Sequence, residues 1–350
     1  MNKAITLKVD AIERETAEAV TIHLKPPFLR KIDYTPGQYL TLEIDSEHGP
    51  LCRAYSISST PGLDKSLSIT VKRVSGGTAS QQLVQHLNAG DALRTLGARG
   101  RFTFSPQPGA RRHLLLFAAG SGITPVFSIL KSALHFEPNS RITLVYGNRS
   151  ADSAIFGGKL ERLRAKYPER LRVVHVLSQG DAPGALRGRI TRERVAEWFD
   201  AYSAQDMLPT EYYACGPAGM MDEVVAGLTM RGVDADSIRM ESFSPPKPKP
   251  AEPAAIAAAA PKRVVLELHG ESHRFEVAAD QTLLEAALAN GVQAPFSCRS
   301  GFCTACMCTR VSGELRMREE HGLSAAEVKQ GYALMCIGYP MSEELRLRID

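Results

Sequence analysis

Four cysteines near the C-terminal end of this 350-residue chain are spaced as metal ligands. Cys298, Cys303 and Cys306 read C-x4-C-x2-C within "SCRSGFCTACMCTR", and Cys336 follows in "LMCIG". This is the ligand spacing of a plant-type 2Fe-2S cluster, in which thiolates hold the irons and a tight loop wraps one side. Small residues such as Ser300 and Gly301 suit a loop whose backbone N–H groups point at the cluster sulfurs and tune its potential. The rival is a structural zinc held by thiolates, but its knuckles come as paired C-x2-4-C and here the second half supplies a single cysteine. Cys308 could replace Cys306 only by breaking the x2 spacing, so it reads as a small side chain on the strand leaving the loop. Cys52 has no partner pattern and reads as a packed thiol.

Further residues with chemical capacity lie upstream. "CRAYSISS" contains Arg53-x-Tyr55-Ser56, and Gly77-x-x-Ser80 follows in "SGGTASQQL" at the opening of a helix. An arginine can neutralise a diphosphate, a tyrosine can stack on a ring system, a serine hydroxyl can bond a ring nitrogen, and a glycine turn at a helix N-terminus cradles phosphate. Each alone is equally an ordinary strand or helix entry. "AAGSGITPVFSIL" places Gly120 and Gly122 after an apolar strand, with Thr124 predicted as N-cap and Pro125 in the first helical turn. The third glycine of the usual dinucleotide fingerprint is absent. "YYACGPAGMM" ends another strand on Cys215-Gly216-Pro217, where ligands sit in doubly wound sheets.

The elements that must hold these residues fall into three blocks. Residues 1–108 read as short strands ("AITLKVDAI", "AVTIHLKP", "QYLTLEI", "AYSIS", "SLSITVKRV") separated by glycine and proline turns, which predicts an antiparallel barrel or sandwich. In residues 109–243, "HLLLFAAG", "RITLVYG", "LRVVHVLS" and "EYYACG" are buried-type strands alternating with helical stretches such as 125–136 and 218–231. That grammar predicts a parallel, doubly wound α/β sheet. Residues 244–261, "SPPKPKPAEPAAIAAAAP", are a semi-rigid proline and alanine spacer. Residues 262–350 open with strands near "RVVLELHG" and "SHRFEVA", then a helix over 283–290 with Thr282 and Glu285 as a capping box and Gly291 as its stop.

Composition sets the class. With 44% hydrophobic and 23% charged residues the chain matches a globular protein. Its seven cysteines are odd in number and clustered, which argues for metal or redox chemistry over a disulfide framework. The tail from residue 262 carries two more acidic than basic residues and the rest six more basic than acidic, an asymmetry too mild to suggest nucleic acid. The start, "MNKAITLKVDAIERET", lacks an apolar run flanked by basic residues, and no stretch approaches the length of a membrane span. The expectation is a cytoplasmic protein without a membrane span.

Taken in order, these motifs resemble the ferredoxin-NADP reductase superfamily, and the tail resembles the plant-type ferredoxin domain along its length. The resemblance implies a flavin-binding β-barrel, a nucleotide domain and an α+β domain of β-grasp fold. It implies that Arg53, Tyr55 and Ser56 bind the flavin, with Ser56 near its N5, and that Gly77 and Ser80 hold its pyrophosphate. Gly120, Gly122, Thr124 and Pro125 would hold the nicotinamide nucleotide, and Cys215 would lie beside the nicotinamide. "MESFS" resembles the segment that closes over the flavin, which brings in Glu241 and Phe243, although Phe243 reads nearly as well as a core residue. The order of domains is similar to that of reductases serving phenylacetyl-CoA epoxidase, steroid-ring hydroxylases and acyl-chain desaturases. The implied activity is an NAD(P)H-dependent relay through FAD and a 2Fe-2S cluster to an oxygenase or desaturase; FMN would use the same phosphate turn. For the nucleotide, Arg149 and Ser150 in "YGNRS" could clasp a 2′-phosphate and favour NADPH, while nearby Asp152 would favour NADH. The competing class is a redox-sensing regulator that binds nucleotide, for which no basic recognition helix is visible.

Overall fold

Alternating apolar and polar residues in "ITLKV" and "TIHLK" give strands with one face toward a core, and the first block is built from six of them. The computed structural model describes residues 5–27, 32–45, 51–203, 208–243, 261–268, 270–296, 299, 301, 305–318, 323 and 325–349. The strands are β1 (Ile5–Thr16), β2 (Ala19–Lys25), β3 (Tyr39–Ile44), β4 (Leu51–Ser56), β5 (Leu67–Lys72) and β6 (Ala92–Arg99), with helix α1 (Thr78–Gln85) between the last two. They run in the order β4-β3-β6-β1-β2-β5. An antiparallel bridge from Ile57 to Ile69 joins the two outer strands, so the sheet closes into a barrel and not a sandwich. Leu7, Val9, Ile22, Leu40, Leu42, Ile69 and Val71 fill its interior. β6 escapes sequence patterning because "ALRTLGAR" offers only Leu93 and Thr95 to the inside and carries a left-handed Gly97 at φ 91°.

The second block is a six-stranded parallel sheet in the order β10-β9-β8-β7-β11-β12. Its elements are β7 (His113–Ala119), α2 (Ile123–Phe136), β8 (Arg141–Asn148), α3 (Gly157–Lys166), β9 (Leu171–Leu177), β10 (Leu186–Arg187), α4 (Arg192–Tyr202), β11 (Thr210–Cys215), α5 (Ala218–Thr229) and β12 (Ile238–Glu241). Leu114, Leu116 and Tyr146 pack on one face and Leu115, Phe117 and Val145 on the other. Strands buried on both faces explain the unbroken apolar runs. Thr124 is not the cap of α2: a 3-10 turn over Gly120–Gly122 runs directly into the helix, and the Thr124 hydroxyl donates to Ser121 O at 2.9 Å from inside its first turn. Pro125 keeps its expected place in that turn, where its missing N–H costs nothing.

The third block comprises β13 (Lys262–Leu268), β14 (Glu271–Val277), α6 (Leu283–Ala289), β15 (Met307–Ser312), β16 (Leu315–Met317), α7 (Ala325–Lys329), β17 (Tyr332–Leu334), β18 (Gly338–Pro340) and β19 (Glu344–Ile349). Its main sheet runs β14-β13-β19-β15-β17, with β19 parallel to β13 in the middle. Helix α6 covers it, capped by Thr282 and Glu285 as predicted, with Gly291 at φ 75° beyond its end. Of the proline and alanine spacer 244–261, all but Pro261 lies outside the described residues. Among the described residues, no helix is long and apolar enough to cross a membrane.

The barrel and the parallel sheet share a packed seam. Phe102 and Phe104, leaving the barrel, meet Tyr213 edge-on at 5.5 and 6.4 Å. Ser128 on α2 donates to Ser59 O at 2.6 Å, and Thr60 returns a bond to Ser128 O at 3.0 Å. Lys159 on α3 bonds Glu13 and Glu15 of β1 at 2.6 and 2.5 Å.

One acidic side chain ties the N-terminal ends of three neighbouring strands. Glu211 on β11 accepts from Arg112, which precedes β7, from Arg239 on β12 and from Tyr213. Burial pushes its carboxyl up, but the bonds from Arg239 and Tyr213 and the charge of Arg112 outweigh this and hold it below the ordinary carboxylate range. A depressed folded-state value contributes stability that is complete above the unfolded value and is lost as pH falls through the folded one. Glu211→Gln should therefore cost about 1–3 kcal/mol at pH 7. Thermal melts of the two proteins should converge as pH drops below about 4; a gap that stays constant with pH would contradict the ionic role.

Candidate functional site

Strand β7 ends at the carboxyl edge of the sheet and turns through Gly120, whose φ of 53° favours glycine. Two residues later the chain passes so close to β11 that a Cβ on Gly122 would stand 2.0 Å from Cys215 O. Tyr146 fixes the turn from beneath, donating to Gly120 O at 3.2 Å. Above this turn opens a cavity of about 760 Å³, in the range of cofactor sites. Gly120, Ser121 and Gly122 form its floor; Asn148, Arg149, Ser153, Ser178 and Arg189 line the sheet side, Gly216, Pro217 and Met220 the start of α5, and Lys72 the barrel side. Asn148, beside the buried Tyr146, brings a side-chain amide to that wall. An extended polar molecule carrying phosphate fits such a wall: glycine backbone to approach, cations to neutralise, and an amide and hydroxyls to bond.

Sequence reasoning missed Lys72, Asn148, Ser178, Arg189 and Met220. Ser178 follows β9, the strand-end position where ligands of doubly wound sheets gather, and could have been found by that rule. Lys72 reaches the cavity only because the barrel packs against the sheet, which no local pattern records. Ser153, not Ser150, supplies the hydroxyl of the wall; it accepts from Ser150 N at 3.0 Å and donates to Ser150 O at 2.7 Å. Arg149 is in the wall and Asp152 is exposed outside it. Phe243 is 45% exposed and also lines the cavity, which overturns the core alternative.

Beside the cavity, three predicted residues meet from three strands. Ser56, at the end of β4 and 4% exposed, donates to Glu241 Oε2 at 3.3 Å. Glu241 is paired in register with Cys215 across β12 and β11. Cys215 is fully buried, and burial followed by the Glu241 charge pushes its thiol far up, so it stays neutral. Tyr55, one residue earlier, is half-buried and desolvation raises its phenol to about 12. Gly77 precedes α1, and a Cβ there would come within 2.9 Å of Ser80 Oγ. The Ser80 hydroxyl is turned inward, accepting from Val74 N at 3.0 Å and donating to Gly77 O at 3.3 Å, so it shapes the loop and leaves the backbone N–H groups of the helix start to meet an anion. These residues fit a flavin: a hydroxyl and an aromatic ring at one end, an anion cradle at the other. Arg53 bonds Phe296 O in the third block at 3.1 Å and lies 5.3 Å over its ring.

In the third block Cys306 and Cys336 lie side by side and buried, with Cys336 N donating to Cys306 Sγ at 3.4 Å. Gly301, at φ 86°, has the Ile337 side chain where a Cβ would fall, at 2.7 Å. Two buried cysteines in adjoining segments, the sulfur of one already receiving the backbone N–H of the other, fit a thiolate-held cluster. Cys298 and Cys303 lie outside the described residues. Cys308 points away, donating to Ala333 O at 3.5 Å, and burial raises its thiol.

Comparison with known proteins gives matches along the chain. The family described as the oxidoreductase FAD-binding domain matches residues 6–104, the oxidoreductase NAD-binding domain residues 116–226, and the 2Fe-2S iron-sulfur cluster binding domain residues 266–341. The ferredoxin reductase component of 3-ketosteroid-9-alpha-monooxygenase from Rhodococcus rhodochrous is 36% identical, over 99% of this chain and 97% of that protein. A component of 1,2-phenylacetyl-CoA epoxidase from Escherichia coli K12 is 33% identical over the same shares. Among solved structures, phthalate dioxygenase reductase shares the fold with a TM-score of 0.59 at 23% identity, covering 99% of this chain and 98% of that one.

The close approach at Gly122 makes a test of the site's construction. Gly122→Ala would drive a methyl group into backbone atoms of Cys215 and Gly216, at a cost of about 1–3 kcal/mol. The strain should also displace the floor and weaken binding of oxidised nicotinamide nucleotide, NAD+ or NADP+, in titration calorimetry. Gly120→Ala meets open space and costs only the left-handed backbone penalty, about 1–2 kcal/mol. Melting and binding of Gly122→Ala indistinguishable from the unmodified protein would disprove the tight β7–β11 turn.

Proposed function

Because the chain belongs to the family of oxygenase reductase components that join FAD-binding, NAD-binding and 2Fe-2S domains, we propose that it draws electrons from NADPH and delivers them through FAD and the cluster to an oxygenase of the kind its relatives serve, such as phenylacetyl-CoA epoxidase. A steroid-ring hydroxylase, another ring hydroxylase or an acyl desaturase is the alternative acceptor, and the site of action is the cytoplasm. We place the domain divisions at residues 1–108, 109–243, 244–261 and 262–350. The observation that carries the reading is the meeting of Ser56 from the barrel with Glu241 and Cys215 from the sheet, beside the nucleotide cavity.

When bound, flavin exchanges a two-electron hydride donor for one-electron carriers, and the 2Fe-2S cluster is such a carrier. The chain's own contribution is position and charge. Ser56, held by Glu241, presents a hydroxyl to orient a flavin ring nitrogen, and Tyr55 offers its ring face. Arg53 supplies positive charge for the flavin phosphates, and the loop from Gly77 to Ser80 supplies backbone N–H groups. Gly120, Gly122, Thr124 and Pro125 hold the turn beneath the nicotinamide nucleotide. Cys215, a neutral and compact thiol, lets the nicotinamide approach without adding charge beside the transferring hydride. Phe243, partly exposed at the cavity wall, closes the cleft against water. Cys306 and Cys336, with Cys298 and Cys303, ligate the cluster. Arg149 and Arg189 in the wall, with Asp152 outside it, support NADPH over NADH.

Anaerobic stopped-flow absorbance with NADPH and with NADH tests the relay. Flavin bleaching should precede loss of the iron-sulfur bands and be faster with NADPH. Ser56→Ala removes one hydrogen bond, roughly 1–1.5 kcal/mol, and should slow bleaching about tenfold with little change in nucleotide affinity; unchanged bleaching would sink that role. Cys306→Ser should lose the iron-sulfur bands and retain flavin reduction. A preparation whose cluster stays oxidised after the flavin bleaches would refute the relay.

A further inference from the structure

The turn between β1 and β2 sends a carboxylate from the barrel to the nucleotide cavity. Glu18 Oε2 accepts from Arg149 Nη2 at 2.9 Å. The same carboxylate lies 3.9 Å from Lys72 Nζ and 3.8 Å from Arg73 Nη2. Its backbone is pinned: Glu18 N donates to Thr16 Oγ1 at 3.2 Å, and Arg73 N donates to Glu18 O at 2.7 Å. Lys72 and Arg149 both line the cavity, one from each side of the seam. One acid thus faces three cations, two of which belong to the cavity wall.

We propose that Glu18 is a specificity-determining residue that sets how strongly the cavity favours a 2′-phosphorylated nucleotide. The proposal rests on the NADPH reading and adds a competitor to it. A guanidinium recognises carboxylate and phosphate through the same fork of N–H donors. A 2′-phosphate that engages Arg149 must share it with Glu18 or displace Glu18, and in either case meets a negative charge a few ångströms away. Both side chains are partly exposed, Glu18 at 37% and Arg149 at 59%, so the pair is weak enough to exchange partners during binding. A nucleotide without the 2′-phosphate leaves the pair intact and gains nothing from its release. Glu18 acts as a brake on NADPH selectivity, and it acts from the flavin barrel, outside the nucleotide domain itself.

Glu18→Gln keeps the shape and removes the charge. Inhibition constants for 2′,5′-ADP and 5′-AMP, measured against NADPH with ferricyanide as acceptor, read the 2′-phosphate contribution without chemistry. The variant should bind 2′,5′-ADP roughly three- to tenfold tighter, the effect of one charge at a partly exposed site, with 5′-AMP changed less than about twofold. KM for NADPH should fall in parallel while kcat holds. In an Arg149→Leu background the Glu18→Gln effect should largely vanish, since the two act through one contact. If the unmodified protein prefers 2′,5′-ADP and the variant does not strengthen that preference, or weakens it, the brake is refuted and the NADPH reading survives. If neither protein distinguishes the two ligands, both fall. If only the variant distinguishes them, Glu18 is the cause and NADPH preference in the unmodified protein is what fails.

Discussion

The structure depends on the seam between barrel and parallel sheet, and that seam is held by buried hydrogen bonds that each partner needs. Ser128 on α2 and Thr60 are fully buried and Ser59 is nearly so. Sliding one block along the other while the seam stays dry would leave the Ser128 and Thr60 hydroxyls buried without partners, at a cost above the worth of the bonds themselves. Ser59 lies three residues beyond Ser56 on the same run of chain. Fixing Ser59 on α2 therefore fixes where the Ser56 hydroxyl arrives, and the Glu241 carboxylate 3.3 Å away records that registration. A site assembled from two domains holds its geometry only if the domains cannot slide, and directional bonds resist sliding in a way that apolar contact does not.

Charge is distributed around that seam according to exposure. Two groups beside the cavity are held neutral, Cys215 by burial and the adjacent carboxylate, Tyr55 by desolvation. Where the seam opens to solvent, charges are paired across it, as in Lys159 with Glu13 and Glu15 and Arg149 with Glu18. Exposed pairs of this kind can be exchanged for a ligand's own charges at small cost.

Much of this was legible in the sequence, and most of the failures concern contacts between segments far apart in the chain. The apolar runs "LLLF" and "ITLVY" disclosed strands buried on two faces, and the Thr282 and Glu285 box disclosed its helix, because each signal is local. β6 was illegible because glycine and arginine dilute its alternation; its place between β3 and β1 comes from closing the barrel. "ELRLRI" alternates plainly, but its parallel pairing in the centre of the third sheet is a matter of topology. Cysteine spacing disclosed a cluster site because ligands of one loop are near in sequence. Lys72 and Glu18 were silent because their relevance exists only across the seam. Thr124 misled because the cap rule presumes an extended residue before the helix, whereas Gly122 is already helical at φ −61° and ψ −13°.

The third block meets the barrel through contacts of another kind. Phe296, two residues before Cys298, has the Arg53 guanidinium 5.3 Å and the Arg299 guanidinium 4.5 Å from its ring centre. Arg53 also donates to the Phe296 carbonyl, and Arg101 donates to Leu323 O at 3.4 Å. These bonds run from barrel arginines to backbone carbonyls, around a small apolar contact of Tyr39 and Ala54 with Ala305. The barrel and the sheet thus meet through buried serine and threonine bonds, and the described contacts between barrel and cluster domain centre on arginines bonded to backbone carbonyls. Arg53 precedes Tyr55 and Ser56 on β4 and bonds the carbonyl of Phe296, two residues before Cys298, so one side chain joins the barrel strand that carries Ser56 to the chain entering the cysteine loop.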